Sequence, residues 1–263
     1  MSETFLNTIL ASTRSSVASS RNEIGIETIK RRAEAVRSRA DEHRLGAALS
    51  RSDKINIIAE IKRASPSKGV INGDVDVRST ARNYERAGAA AISILTENHY
   101  FKGSIDDLKI ARESVDIPLL RKDFTVDEYQ IYEAAASGAD AVLLIVAALT
   151  AEQITSFLTL AESELGMDAI VEVHSQNELE TAIECGANII GVNNRNLHSF
   201  GVSLDISRRL IRSKPPGALM VAESGISTAD EINELRGLGF NAFLVGETLM
   251  RSADPSGILK TWM

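Results

Sequence analysis

Cysteine is almost absent from this sequence, since Cys185 is the only one among 263 residues. A single cysteine excludes an internal disulfide and favours a reducing compartment. No stretch approaches the roughly 20 consecutive apolar residues of a membrane-spanning helix. The N-terminal stretch MSETFLNTILASTR has no basic region before its short apolar patch, so no cleaved signal peptide is expected. These absences predict a cytoplasmic protein without a membrane partner.

Several kinds of binding site also lack their sequence signals. The segment SPSKG does not fit the G-x-x-x-x-G-K-[ST] frame of a phosphate-binding loop, and the four histidines show no metal-ligating spacing. The formal net charge of -7 argues against an extended nucleic-acid surface. The basic run KRRAEAVRSR is interrupted by Glu34 and is typical of a solvated helix face. We therefore expect no metal and no nucleic-acid partner.

Eight short apolar or β-branched runs alternate with stretches of helix-forming composition. The runs are INIIAEIK, AAAISILT, IPLLRKDF, ADAVLLIV, MDAIVEVH, ANIIGVNN, GALMVAES and NAFLVGET. Four of them follow a glycine placed as a left-handed helix C-cap, in RAGAAAISIL, ASGADAVLLI, ECGANIIGVN and GLGFNAFLVG. Apolar strands alternating with helices predict a parallel sheet covered by helices. Eight such units predict a (β/α)8 TIM barrel, and an open doubly wound sheet is the alternative.

About 50 residues precede the first run and show no strand signal. Within them, IGIETIKRRAEAVRSRADEHRLGAAL has helix-forming composition. The serine-rich segment STRSSVASS is expected to form a loop or a frayed end. The sequence therefore predicts an N-terminal helical extension over residues 1–50, packed on a catalytic barrel over residues 51–263.

Charged and polar side chains recur at the C-terminal ends of the predicted strands. Glu60 and Lys62 share one face of the first strand, because side chains alternate along a strand. Burying such charges is costly unless they are paired, and in this barrel class the C-terminal rim holds the active site. The corresponding residues of the later strands are Glu97, Lys122, Glu172, Asn193, Arg195 and Glu223. Their recurrence indicates one functional site rather than separate salt bridges.

Two glycine-containing turns follow the last two strands, in AESGIS and VGETLM, and each leads to a predicted helix start. In barrels of this class, backbone N–H groups in these loops often bind a phosphate. The expected phosphate-binding residues are Ser224, Gly225, Gly246 and Glu247. The side chain of Glu247 is expected to point outward, because its carboxylate would otherwise compete with a phosphate.

The strand ends also resemble a known enzyme family. The segments IIAEIKRASPSKG, SILTENHYFKGS, PLLRKDF, ADAVLLIVAAL, VEVHS, IGVNNRNL, VAESGIS and FLVGETLM resemble, in order, those of indole-3-glycerol-phosphate synthases of tryptophan biosynthesis. The resemblance spans roughly residues 52 to 252 and includes the motif E-x-K-x-x-S-P-S. It implies a carboxy-lyase that converts 1-(2-carboxyphenylamino)-1-deoxyribulose 5-phosphate to indole-3-glycerol phosphate, carbon dioxide and water. It implies no metal or organic cofactor. A monofunctional monomer is expected, and association with other enzymes of the pathway stays open.

The resemblance further implies roles for the residues that hold the substrate during ring closure. Lys122 is expected to act as the general acid that protonates the ketone oxygen. Lys62 is expected to hold the substrate carboxylate, with Ser65 and Asn193 as hydrogen-bond partners. Arg195 is expected to assist as a fixed cation.

The remaining rim residues are implied in dehydration and in shaping the pocket. Glu60 and Glu172 are expected to share the acid and base steps of the final loss of water, with their order left open. Glu223 is expected to bind substrate or to orient a catalytic lysine. Glu97 and Phe101 are expected to form the pocket wall near the anthranilate ring, and Ser224 to contact the substrate.

Three other functions stay open on the residues alone. A lyase or aldolase acting through a Schiff base on Lys122 would be trapped by borohydride. A phosphosugar isomerase would release no carbon dioxide. A catalytically silent phosphometabolite-binding protein would tolerate the loss of Lys122 and Glu172.

Overall fold

The computed structural model describes residues 5–196 and 200–263. Its parallel strands form a closed barrel in which each strand pairs with the next one in the chain, and the first also pairs with the eighth. The strands are β1 (Asn56–Ile61), β2 (Ala91–Leu95), β3 (Leu119–Lys122), β4 (Ala141–Ile145), β5 (Asp168–Val173), β6 (Ile189–Asn193), β7 (Leu219–Glu223) and β8 (Ala242–Val245). Each of the eight predicted runs contains one of these strands. The (β/α)8 prediction is thus confirmed, and the open sheet is excluded.

Helices precede, separate and follow these strands. They are α1 (Phe5–Glu23), α2 (Ile26–Arg37), α3 (Arg44–Leu49), α4 (Val77–Arg86), α5 (Ile105–Arg112), α6 (Glu128–Ala136), α7 (Ala151–Leu158), α8 (Gln176–Glu184), α9 (Asp205–Leu210), α10 (Ala229–Leu238), α11 (Glu247–Arg251) and α12 (Pro255–Trp262). Short 3-10 helices span Val146–Ala148 and Ile211–Ser213, and a π-helical turn spans Thr159–Glu164. In the loop after β1, Ala64–Ser65 pairs with Gly69–Val70 as a small hairpin. No helix of the described ranges is long and apolar enough to cross a membrane.

The glycines predicted to end helices do adopt the left-handed conformation. Gly88, Gly138, Gly186 and Gly239 have φ angles between 84° and 115°. An L-residue with a side chain is strained at such angles, whereas glycine is not. Each helix therefore stops at a fixed residue, and the chain enters the following strand directly.

The expected loop over STRSSVASS is wrong, because these residues lie inside α1. Serine has a modest helix propensity, but packing of an apolar stripe on the barrel outweighs that preference. The most exposed serines, Ser15 and Ser19, lie on the opposite side. The buried stripe of α1 consists of Leu6, Ile9, Leu10, Thr13 and Val17.

The N-terminal helices cover both ends of the barrel. At the rim where the strands end, the first residues of α1 lie over the barrel mouth, and the Tyr129 hydroxyl of α6 donates to the Ser20 carbonyl at 3.1 Å. At the opposite end, Leu45 and Leu49 of α3 are completely buried against the barrel interior. The division of the chain at residue 50 stays a prediction.

Candidate active site

A cavity of about 760 Å³ opens at the C-terminal rim of the barrel. Below it, interior residues such as Ile58, Leu120, Ile170 and Val221 form an apolar layer. Side chains alternate along a strand, so the residues two positions further along the same strands also face the barrel interior. At these positions the interior face is charged. The charged layer consists of Glu60, Lys122, Glu172 and Glu223. The polar groups at the cavity floor are thus placed by the strand register itself.

The structure brings nearly all of the predicted site residues around this one cavity. Only Glu97 is absent from its wall. The predicted residues that line the cavity are Glu60, Lys62, Ser65, Phe101, Lys122, Glu172, Asn193, Arg195, Glu223, Ser224, Gly225, Gly246 and Glu247.

Lys122 lies at the centre of the charged layer. Its ammonium is 3.0 Å from Glu172 Oε2 and 3.4 Å from Glu223 Oε2. The side chains of the two glutamates are 2% and 1% exposed and that of Lys122 is 14% exposed, so one half-buried ammonium faces two buried carboxyl groups. At the cavity edge, Glu60 and Lys62 form a second ion pair.

Burial and pairing shift the pKa values of these groups in opposite directions. Burial acts to lower the pKa of Lys122, but Glu172, Glu223 and Glu60 outweigh it, so the pKa rises and the ammonium persists. Burial acts to raise the pKa of Glu172, but the charges of Lys122 and His174 bring it below its usual range. Burial raises the pKa of Glu223; Lys122 opposes that rise, whereas neighbouring Glu172 adds to it. Of the two carboxyl groups beside Lys122, Glu172 is therefore ionised at neutral pH, whereas Glu223 favours its protonated form.

We predict that Glu223 keeps its proton at neutral pH. Above its usual pKa of 4.5 the unfolded chain releases this proton while the folded protein retains it, so Glu223 lowers stability as the pH rises. Glu223→Gln should remove this decline and the infrared C=O band of a buried carboxylic acid. Glu180→Gln, at the exposed surface of α8, serves as the comparison and should leave that band in place. A wild-type spectrum without the band would contradict the prediction.

Glu247 faces the cavity, so the expected outward orientation is wrong. Its carboxylate is 3.1 Å from Arg251 Nε and 3.6 Å from both Lys68 Nζ and an Arg195 terminal nitrogen. Three cations at this point attract the carboxylate inward. Two residues of the loop after β7, Ser224 and Gly225, adopt positive φ angles of 65° and 81°. The rim beside β7 and β8 thus combines a sharp backbone turn with an unusual concentration of positive charge.

Glu97 orders a loop instead of lining the cavity. Its carboxylate accepts hydrogen bonds from the backbone N–H groups of His99, Tyr100 and Phe101 at 2.7–3.1 Å. Its side chain is buried, and both oxygens are occupied. Glu97 therefore acts on the cavity through Phe101, whose ring lies 6.2 Å from that of Phe124.

Sequence reasoning missed the apolar part of the wall. Phe5 of α1 packs edge-on against Tyr100 and Phe200 at centroid distances of 5.2 and 5.4 Å, which joins the helix to two rim loops. The apolar stripe of α1 was the available signal, but it does not say which part of the barrel the helix covers. The missed lining residues include Phe5, Leu6, Ile9, Phe124 and Arg251. Across residues 5–196 and 200–263, no group of three or more His, Cys, Asp or Glu side chains is arranged to hold a metal ion.

Comparisons with known proteins agree with this geometry. The family model "Indole-3-glycerol phosphate synthase" matches residues 6–261. A protein of that name from Laribacter hongkongensis is 45% identical over 258 residues, covering 97% of each chain. Another from Lachnoclostridium phytofermentans is 52% identical over 200 residues, covering 76% of this chain and 73% of its own. Among solved structures, 3-hexulose-6-phosphate synthase from Salmonella typhimurium superposes with a TM-score of 0.63 at 15% identity, covering 79% of this chain and 96% of its own. At that identity the last likeness shows the barrel fold alone.

Proposed function

Because the chain belongs to the indole-3-glycerol phosphate synthase family, a family of carboxy-lyases in tryptophan biosynthesis, we propose a division of the reaction among its rim residues. The substrate is 1-(2-carboxyphenylamino)-1-deoxyribulose 5-phosphate. Its ring closes on the ketone carbon, then carbon dioxide and water leave. The observation that carries the proposal is the Lys122 ammonium at the cavity floor, 3.0 Å from Glu172 and 3.4 Å from Glu223.

Lys122 is the general acid of ring closure. As the aryl carbon attacks, negative charge builds on the ketone oxygen, and an ammonium at that point stabilises the charge and supplies a proton. The carboxylates beside Lys122 keep its pKa raised, so the side chain is fully charged before substrate binds. Glu223 orients the ammonium, because its Oε2 lies 3.4 Å from Lys122 Nζ. The carboxyl group of Glu223 remains neutral in this role.

Lys62 holds the carboxylate that later leaves as carbon dioxide. Its ammonium is paired with Glu60 in the free protein, and its side chain is 15% exposed toward the cavity. Ser65 and Asn193 supply hydrogen bonds to the same carboxylate. Arg195 is held 3.1 Å from Ser67 Oγ, which fixes a second cation near this part of the cavity.

Dehydration requires a base for the remaining ring proton and an acid for the departing hydroxyl. Glu172 is ionised and buried, so we assign it the base role. We assign the acid step to Glu60 together with Lys62, since their contact allows a proton to pass between them. The two carboxylates thereby take opposite roles because their surroundings differ.

The substrate phosphate binds beside β7 and β8. The backbone N–H groups at Ser224, Gly225 and Gly246 are suited to an anion, because residues with positive φ and helix starts direct such groups toward one point. The cations that surround Glu247 provide the counter-charge. Glu247 itself competes with the phosphate and moves when the phosphate arrives.

The direct test is turnover of the carboxyphenylamino deoxyribulose phosphate by purified protein. The expected result is indole fluorescence accompanied by an equal amount of carbon dioxide. Three results would overturn the proposal: a borohydride-trapped adduct on Lys122, sugar isomerisation without carbon dioxide, or tight binding with no product. A monomeric state and a cytoplasmic location stay predictions from the sequence.

A further inference from the structure

His174 lies behind the proposed catalytic layer, just beyond the end of β5. Its ring Nε2 is 3.4 Å from Glu172 Oε1, and its Nδ1 is 3.3 Å from Glu178 Oε2. The side chain is 11% exposed and does not line the rim cavity. The imidazole therefore lies between a glutamate of the cavity floor and a glutamate of α8.

Glu178 fixes this histidine from the first turn of α8. Its Oε2 also accepts a hydrogen bond from the His174 backbone N–H at 2.7 Å. The backbone N–H of Glu178 in turn donates to the N-cap side chain of Ser175 at 3.3 Å. Ring and backbone of His174 are thus held by a carboxylate that the helix start positions.

The two oxygens of Glu172 have different cationic neighbours. Oε2 is 3.0 Å from the Lys122 ammonium on β3, whereas Oε1 faces the imidazole. The ionised groups that act on His174 are Glu178 of α8 and Glu172 of β5, and Glu223 of β7 adds a smaller effect in the same direction. Burial acts to lower the pKa of His174, but these carboxylates outweigh it and the pKa is raised. The charged imidazolium is therefore favoured at this position.

We propose that His174, clamped by Glu178, is a positioning residue for Glu172, which it orients toward Lys122 and keeps anionic through the reaction. The proposal rests on the proposed function, in which Lys122 gives its proton to substrate. At that moment Glu172 loses the positive charge beside Oε2. The cation beside Oε1 remains, so the carboxylate stays ionised and ready to accept the ring proton.

The test compares the pH dependence of kcat for His174→Gln and Glu178→Gln with that of the wild type. Without the imidazolium the pKa of Glu172 rises, so the acid limb of the profile should move upward by about one pH unit. Glu172 stays ionised at neutral pH in both proteins, so a loss of kcat there reports lost orientation of its carboxylate, and we expect about a tenfold fall with little change in KM. Glu178→Gln keeps the histidine but weakens its charge, and should shift the limb in the same direction by less. If His174→Gln does not fold, Glu178→Gln still tests the proposal.

Glu180→Gln is the matched control, since Glu180 lies on the same helix and contacts the Gln176 side chain at the surface. Its profile should equal that of the wild type. An unchanged acid limb in both His174→Gln and Glu178→Gln, whatever their melting temperatures, would overturn the positioning role while leaving the proposed function intact. A wild-type protein that releases no indole product would overturn both.

Discussion

Lys122→Met lowers kcat roughly a thousandfold while the protein still binds the substrate. Methionine keeps an unbranched side chain of similar length but removes the charge and every donor. The developing alkoxide then has no proton source at the cavity floor. Binding survives, because the cations expected to hold the carboxylate and phosphate of the substrate lie on other segments, at Lys62, Lys68 and Arg195.

The same substitution changes the pH dependence of stability. Glu172 and Glu223 lose the cation they share, so the pKa of Glu172 should rise from below to above the usual 4.5, and the already raised pKa of Glu223 should rise further. At low pH both carboxyl groups are protonated in the folded and unfolded states, and little stability is lost. Above pH 4.5 only the unfolded state releases these protons readily, so the deficit grows with pH. It can reach about 3–5 kcal/mol, the usual cost of leaving a buried charge unpaired.

Lys109→Met is the matched control for this experiment. Lys109 is exposed on α5 and pairs only with Asp106, at 2.8 Å, among the contacts of the described chain. We expect wild-type kcat and a stability change below about 1 kcal/mol. Indole fluorescence and urea unfolding at several pH values measure both variants. A Lys122→Met enzyme that retains a tenth of wild-type kcat would mean that the ketone oxygen receives its proton from another group.

The barrel was predictable because each strand and each helix end leaves a local sequence pattern, and this pattern recurs along the chain. Strands buried on both faces leave continuous apolar runs, and the glycines that stop the helices sit at fixed positions, such as Gly88 and Gly138. A charged residue within such an apolar run can be recognised directly in the sequence. Glu60 and Lys122 therefore mark the rim in the amino-acid sequence itself, since each follows an apolar interior residue by two positions.

Side-chain pairing between distant segments was not predictable in the same way. The serine-rich part of α1 is helical because of an apolar stripe that meets the barrel, which propensity alone does not reveal. Glu97 and Glu247 each follow a predicted strand. Glu97 accepts hydrogen bonds from backbone N–H groups of its loop, whereas Glu247 contacts three cationic side chains. Their sequence positions are alike, and only the neighbours brought by folding decide what each carboxylate does.

Gly191→Ala tests whether the shape of the barrel interior sets the position of a catalytic-layer carboxylate. Gly191 lies on β6 between Glu172 of β5 and Val221 of β7. A Cβ atom at this position would be 2.1 Å from Glu223 Oε1 and 2.9 Å from Ile170 Cγ2. The backbone of Gly191 is not in the left-handed region, so an alanine fits the chain conformation and the conflict is purely steric.

We expect Gly191→Ala to push Glu223 out of its place beside Lys122. A displacement of about 1 Å in such a site costs roughly a hundredfold in kcat, and overpacking costs about 1–3 kcal/mol of stability. Gly237→Ala is the matched control, because no atom beyond the backbone of its own helix turn and its two chain neighbours lies within 4 Å of the added methyl group on α10. It should leave kcat unchanged and stabilise the helix by about 0.5–1 kcal/mol.

A double-mutant cycle separates the two possible sources of strain at Gly191. In a Glu223→Ala background the carboxylate that meets the new methyl group is gone, so most of the stability loss from Gly191→Ala should disappear, leaving the contact with Ile170. If the loss is the same in both backgrounds, Ile170 alone accounts for it. In that case the missing side chain at residue 191 does not position Glu223, and the low activity of Gly191→Ala would have to come from a shift of β6 itself.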